Sequence, residues 1–140
     1  MRAVVVDASV AVKWFLPEIH AEAARRVLAR RRELLAPDLI WAEVGNALWK
    51  QSRRAQISPE AARGILQDFE RFPLRTSPAK ALLEPAWELA ARFDISVYDS
   101  LYLALAIGRR CVLVTADLAL YRSLNGTPLA SSVAWVEHFR

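Results

Sequence analysis

The chain is short of the residues from which several common kinds of site are built. It contains one cysteine, two histidines and four glycines among 140 residues. A single Cys111 excludes a disulfide framework within the chain and fits a reducing cytoplasm. His20 and His138 have no Cys or His partner at zinc spacing, which argues against a structural or catalytic zinc. With so little glycine there is no Walker A loop and no Gly-x-Gly-x-x-Gly, and no Gly-x-Ser-x-Gly elbow is present. No stretch approaches the roughly 20 apolar residues that a membrane span needs. Asp7 and Lys13 interrupt the first apolar stretch and leave no signal-peptide core. No membrane association is therefore expected.

What the chain does have is apolar mass and arginine. Hydrophobic residues make up 54% and charged residues 24%, so the expectation is one ordered domain over residues 1–140 rather than disorder. The net charge is +4 and most of the positive charge is arginine. Arginine grips phosphate through a planar fork that lysine lacks, so an anionic partner such as nucleic acid fits. Solvated helix faces explain the same composition equally well.

Residues 2–6 form a short β-branched apolar run that ends at Asp7, and residues 111–114 form another shortly before Asp117. Both suit strands buried on two faces. Residues 34–37 and 72–76 read as minimal strands and 133–136 as an edge strand. Between them the expected helices cover 10–16 with Ser9 as cap, 18–32, 39–54 with Asp38 as cap, and a segment opened by Ser58-Pro59. Two more cover 79–93, starting late or bending at Pro85, and 99–107; a short one follows at 118–124. Strands alternating with helices of this length imply an α/β fold with a parallel sheet covered on both faces.

That topology gives four acids a shared address. Strands of one parallel sheet open their carboxyl ends on one edge, where ligands bind. Asp7, Glu43, Asp99 and Asp117 are placed to meet there, and carboxylates that meet repel one another unless a cation lies between them. A set of helix caps is the competing reading for Asp7, Asp99 and Asp117. Glu43 escapes it, because it lies mid-helix beside Ile40 and Ala47 in a segment that is apolar on most sides, and a buried carboxylate there needs a partner or a metal. Ser9 and Thr115 are placed to hydrogen-bond an acid or a water at the same edge, and Asn46 partly shares the Glu43 face. Hard oxygen donors without soft ones favour Mg²⁺ or Mn²⁺. Arg25, Arg26, Arg53 and Arg54 are candidate phosphate contacts, with plain solvation the simpler account of each. Trp14, Phe15, Trp41 and Trp49 exceed what short helices readily hide. As a group they point to a surface covered by a partner, although core packing explains each one singly.

Four segments in order, Val6-Asp-Ala-Ser-Val-Ala-Val-Lys-Trp14, Ala42-Glu-Val-Gly-Asn-Ala-Leu48, Ser96-Val-Tyr-Asp-Ser-Leu-Tyr-Leu-Ala-Leu-Ala106 and Val114-Thr-Ala-Asp117, resemble the PIN-domain ribonucleases, and within them the VapC-type toxins of toxin–antitoxin pairs. The likeness spans essentially the whole chain, and no acidic position departs from the family's pattern. It implies a PIN-like, Rossmann-like three-layer α/β/α sandwich with a central parallel sheet of four to five short strands. It also implies Mg²⁺- or Mn²⁺-dependent cleavage of RNA, a homodimer and a cognate VapB-type antitoxin. By the same resemblance Asp7, Glu43, Asp99 and Asp117 are the catalytic and metal-holding acids, with Ser9 and Thr115 as the accompanying hydroxyls. A housekeeping PIN nuclease acting on RNA or DNA, or a PIN-like binding module without catalysis, would share these segments. An aspartyl-nucleophile phosphatase needs a second acid where Ser9 stands. A phospho-receiver needs a late lysine, and none follows Lys80.

Overall fold

The computed structural model describes residues 2–140. Five strands, β1 (Arg2–Val6), β2 (Arg32–Pro37), β3 (Arg75–Ser77), β4 (Leu113–Thr115) and β5 (Val133–Trp135), form one sheet in the order β3-β2-β1-β4-β5. Every pairing is parallel, with Val4 beside Leu34 and Val6 beside Val114. The chain starts at the centre, winds outward through β2 and β3, then crosses back to β4 and β5. Because parallel crossovers are right-handed, the reversal sends the connecting helices to opposite faces. Helices α1 (Ala8–Ala11), α2 (Ala21–Arg26), α3 (Leu39–Arg53) and α4 (Pro59–Glu70) precede the reversal. Helices α5 (Ala79–Phe93), α6 (Val97–Gly108) and α7 (Leu118–Ser123) follow it. The result is the expected three-layer α/β/α arrangement.

The core explains which elements the sequence fixes. Val4, Val5 and Val6 are at most 1% exposed, as a strand covered on both faces requires. Helix α6 is buried from Ser100 to Ala106 and lies against β1, β2 and β4. Helix α3 instead buries one stripe, Ile40, Val44 and Leu48, at four-residue spacing, and leaves Trp49 55% exposed. A segment that reads as apolar on most sides, and so as buried on more than one, is buried on one side only. Trp14 and Phe15 belong to the core rather than to a partner surface. Trp14 stacks on Phe72 at 4.7 Å and its Nε1 donates to the Ala24 carbonyl. Trp41 is half-buried against Phe69.

Several helix boundaries differ from the expectation for local reasons. The segment 18–32 is helical only over Ala21–Arg26, since His20 has φ 67° and Arg32 already opens β2. Helix α5 runs from Ala79 through Pro85 without interruption. Asp38 stands before α3 but does not cap it; its Oδ1 accepts instead from the Ala79 amide at the start of α5. Ser58 does cap α4, accepting from the Ala61 amide at 3.1 Å.

Candidate active site

The strand order reverses between β1 and β4, and the crevice at the carboxyl end of such a switch is where open α/β sheets place their ligands. Asp7 follows the last residue of β1, and Asp117 lies two residues past β4. Helix α6 leads into β4, so its first turn, with Asp99, sits at the same carboxyl edge. Helix α3 leaves that edge after β2 and carries Glu43 in its second turn.

Asp7 is the buried anchor, only 7% exposed. It occupies the position before α1 without capping it, and Ser9 does not cap that helix either. Instead the Ser9 hydroxyl donates to Asp7 Oδ2 at 2.6 Å and the Thr115 hydroxyl donates to the same oxygen at 2.8 Å. Each hydroxyl is itself fixed by a backbone amide: Ala116 donates to Ser9 Oγ, and Asp117 donates to Thr115 Oγ1. Burial pushes the Asp7 carboxyl up to about 6, the two hydroxyls pull it down, and the charges of Asp99 and Glu43 push it further up.

The helix-cap reading fails for Asp99 and holds in part for Asp117. Ser96 is the cap of α6, accepting from the Asp99 amide at 3.0 Å, which leaves the Asp99 carboxylate free. Burial raises the Asp99 carboxyl, the Ser96 contact lowers it, and Asp117 raises it again. Asp117 does cap α7, its Oδ1 accepting from the Leu120 amide at 3.1 Å. Glu43 is half-buried, and burial is the main cause of its raised carboxyl, with the Asp99 charge adding to it.

Sequence reasoning missed Tyr102. Its hydroxyl donates to Glu43 Oε1 at 2.6 Å, and the residue is 1% exposed. Burial foremost, with the charge of Asp7 and the contacts to Glu43, pushes its phenol far up, so it stays a donor. The signal was its place three residues after Asp99, on the same face of α6; in an otherwise apolar helix it reads as core. Asn46 is exposed and does not join this network.

The arginines lie elsewhere. Arg26 pairs with Glu137 at 3.3 Å beside Arg30, Phe139 and Arg140, and Arg25 is exposed on the same helix. Arg53 lies across Trp49 at 5.3 Å, roughly 15 Å along α3 from Glu43 at 1.5 Å per residue. Arg54 is exposed just beyond it.

The donor set at the carboxyl edge is all oxygen, which suits a hard divalent ion. Among the described residues no group of three or more His, Cys, Asp or Glu side chains stands close enough together to hold one as placed. The charges of Asp99 and Glu43 raise Asp7, and that of Asp117 raises Asp99, so the four acids share one neighbourhood. Oxygen donors spaced this way suit an ion that keeps several of its waters and takes few direct carboxylate bonds, as Mg²⁺ does.

The comparisons with known proteins agree with this architecture. The PIN domain family matches residues 4–123. Ribonuclease VapC3 of Pyrobaculum aerophilum is 34% identical over 119 residues, covering 82% of this chain and 91% of the relative. The crystal structure of PAE2754 from Pyrobaculum aerophilum superposes with a TM-score of 0.67 at 26% identity, over 97% of this chain and 85% of that one. A toxin–antitoxin complex from Klebsiella pneumoniae shares the fold, with a TM-score of 0.62 at 17% identity over 94% of this chain and 95% of its own. A parallel sheet with its acids gathered at the β1–β4 switch, together with relatives matched over most of their length, places the chain in the PIN-domain family, in its VapC branch.

Proposed function

We propose that the protein is a Mg²⁺- or Mn²⁺-dependent endoribonuclease that hydrolyses RNA phosphodiester bonds and serves as the toxin of a VapBC-type pair. The observation that carries the reading is the meeting of Asp7, Glu43 and Asp99 at one sheet edge with no protein cation paired to any of them among the described residues. The ribonuclease name of the relative matched over 91% of its length supports the reaction, and the toxin–antitoxin neighbour supports a VapB-type partner.

Asp7, Glu43 and Asp99 would hold the ion directly or through water, with Asp117 completing the cradle through the oxygen that does not cap α7. A bound divalent ion lowers the pKa of a coordinated water and offsets charge building on the phosphate. The protein's part is positional. Ser9 and Thr115 both bind one oxygen of Asp7, Oδ2, and leave Oδ1 without a side-chain donor. Tyr102 fixes one oxygen of Glu43 in the same way. Hydroxyl donors set the geometry without neutralising the carboxylates, so the cradle keeps its attraction for a cation.

The partner surfaces are proposed from exposed apolar area. Leu83 is 50% exposed and Trp87 63% on α5, and Tyr98 is 62% exposed at the start of α6. A second copy in a homodimer, or the antitoxin, would cover them. The test of the reaction is cleavage of a defined RNA with Mn²⁺ by the parent protein and by Asp7→Asn. Cleavage by the parent alone, abolished by a chelator, is expected; equal activity in both would remove the assigned site.

A further inference from the structure

The amino edge of the sheet, opposite the acids, holds a cleft of about 600 Å³ that the activity above does not use. It is lined by Arg2, Arg32, Arg109, Arg110, Phe139 and Arg140, together with Glu33 and the backbone where β1, β2 and β4 begin. The sequence concentrates arginine here for a topological reason. Arg2 and Arg32 are register partners at the open ends of β1 and β2, and Arg109-Arg110 form the turn that feeds β4. A parallel sheet gathers the starts of its strands as surely as it gathers their ends.

The charge in this cleft is unbalanced. Glu33 is the one acidic side chain in its lining, and Arg75 and Arg109 already hold it. Among the described residues Arg2, Arg32, Arg110 and Arg140 have no carboxylate partner. Arg32 lies over the Phe139 ring at 4.7 Å, and its Nη1 is buried without a hydrogen-bond partner. Burial, and the neighbouring charges of Arg30 and Arg2, lower its pKa. A guanidinium nitrogen shut away from water and left without an acceptor is costly unless an anion enters to accept from it.

We infer that this amino-edge cleft binds phosphate groups, namely the backbone of the nucleic-acid substrate at a point away from the bond being cut. The fork of arginine suits a phosphate oxyanion, and a cleft supplied by arginine alone lacks the point-charge character of lysine. Arg2 and Asp7 are separated by the length of β1, about 17 Å at 3.3 Å per residue. A strand held at both edges must therefore extend well past the cleavage site, and a very short RNA reaches only the acids. The inference rests on the nuclease reading, but its readout is binding rather than turnover.

The experiment measures affinity for a long single-stranded RNA against salt, with chelator present to prevent cleavage, for the parent and for Arg2→Gln/Arg110→Gln. Both arginines are exposed, so the fold should tolerate the change, and Arg140→Gln serves as a second variant. Each lost phosphate contact lowers the slope of log K against log salt by about 0.7 on single strands, so the double variant should lose about 1.4. Cleavage of a tetranucleotide with Mn²⁺ should be the same in both proteins. An unchanged slope would overturn the inference, and so would polyglutamate displacing the long RNA as well as an unlabelled RNA does. ATP that binds the parent tightly while the RNA slope stays unaltered in the variant would overturn it too, by assigning the cleft to a free nucleotide. Loss of tetranucleotide cleavage in the parent itself would tell against the nuclease reading alone.

Discussion

Replacing Asp7 with Asn should make the metal-free protein more stable at alkaline pH while abolishing its activity. The carboxyl is 7% exposed and is raised from an ordinary value of 3.8 to about 6, chiefly by burial. The folded state thus holds this proton more tightly than the unfolded chain does. The stabilisation from the proton is fully present below about pH 4 and is lost as pH rises through about 6. Above that, the ionised side chain costs about 3 kcal/mol, from two pH units at 1.36 kcal/mol each. Asn removes this cost and keeps an oxygen to accept from Ser9 and Thr115. Its amide nitrogen enters a buried position, which returns roughly 1–2 kcal/mol of the gain. The net gain at pH 8 is about 1–2 kcal/mol, or about 3–6 °C in Tm for a chain of this size.

Thermal or urea unfolding in chelator at pH 5, 6.5 and 8 reads this directly. The Tm of Asp7→Asn should exceed that of the parent at pH 8, and the gap should close towards pH 5, where Asp7 is already protonated. Added Mn²⁺ should reverse the order, because an ion that binds only the folded acids stabilises the parent alone. A variant less stable than the parent by the same amount at every pH would refute the reasoning, since it would mean that the carboxylate carries no electrostatic strain.

Tyr102→Phe removes the donor that lowers the Glu43 carboxyl, so Glu43 should rise further and the acid limb of the pH–rate profile should move to higher pH. The loss of a bond to a charged group, roughly 1.5–3 kcal/mol, predicts a fall in kcat/KM of about tenfold or more in steady-state cleavage assays. Thr115→Val takes one of two hydroxyls from Asp7 and the acceptor from the Asp117 amide. The expected result is an Asp7 carboxyl above 6 by NMR titration and weaker Mn²⁺ binding by calorimetry. Ser58→Ala deletes the α4 cap and should cost about 1 kcal/mol in urea unfolding while leaving RNA cleavage unchanged.

The sheet and its acids were legible because their signals are one-dimensional. A β-branched apolar run that ends at an acid marks both a strand and its carboxyl end, and β1 with Asp7 follows that pattern to the residue. The helix 18–32 was overdrawn because amphipathic spacing continues through Arg30–Arg32, whereas those residues are needed to pair with β1. Cap assignments were ambiguous for a different reason. Ser96 and Asp99 are both good cap residues three apart, and only the backbone decides that Ser96 accepts the bond. Tyr102 shows only its place three residues after Asp99; its partner, Glu43, lies 59 positions away in sequence, and no local rule links the two.

The placement of charge follows from the same topology and limits how the site can be built. A lysine or arginine among the four acids would relieve their repulsion and stabilise the fold, but it would also fill the place that the proposed ion would take. The chain instead supports its carboxylates with neutral donors, Ser9, Thr115 and Tyr102, which orient without cancelling charge. Lys13, the buried cation closest in sequence to Asp7, is turned to Glu18 at 4.0 Å. Unpaired arginine collects at the other end of the strands, about 17 Å away across β1. The molecule is therefore polar along its strands, acidic at the carboxyl edge and basic at the amino edge. A substitution that placed a cation near Asp7 should raise stability and lower activity together, which separates this design from one in which the acids are ordinary helix caps.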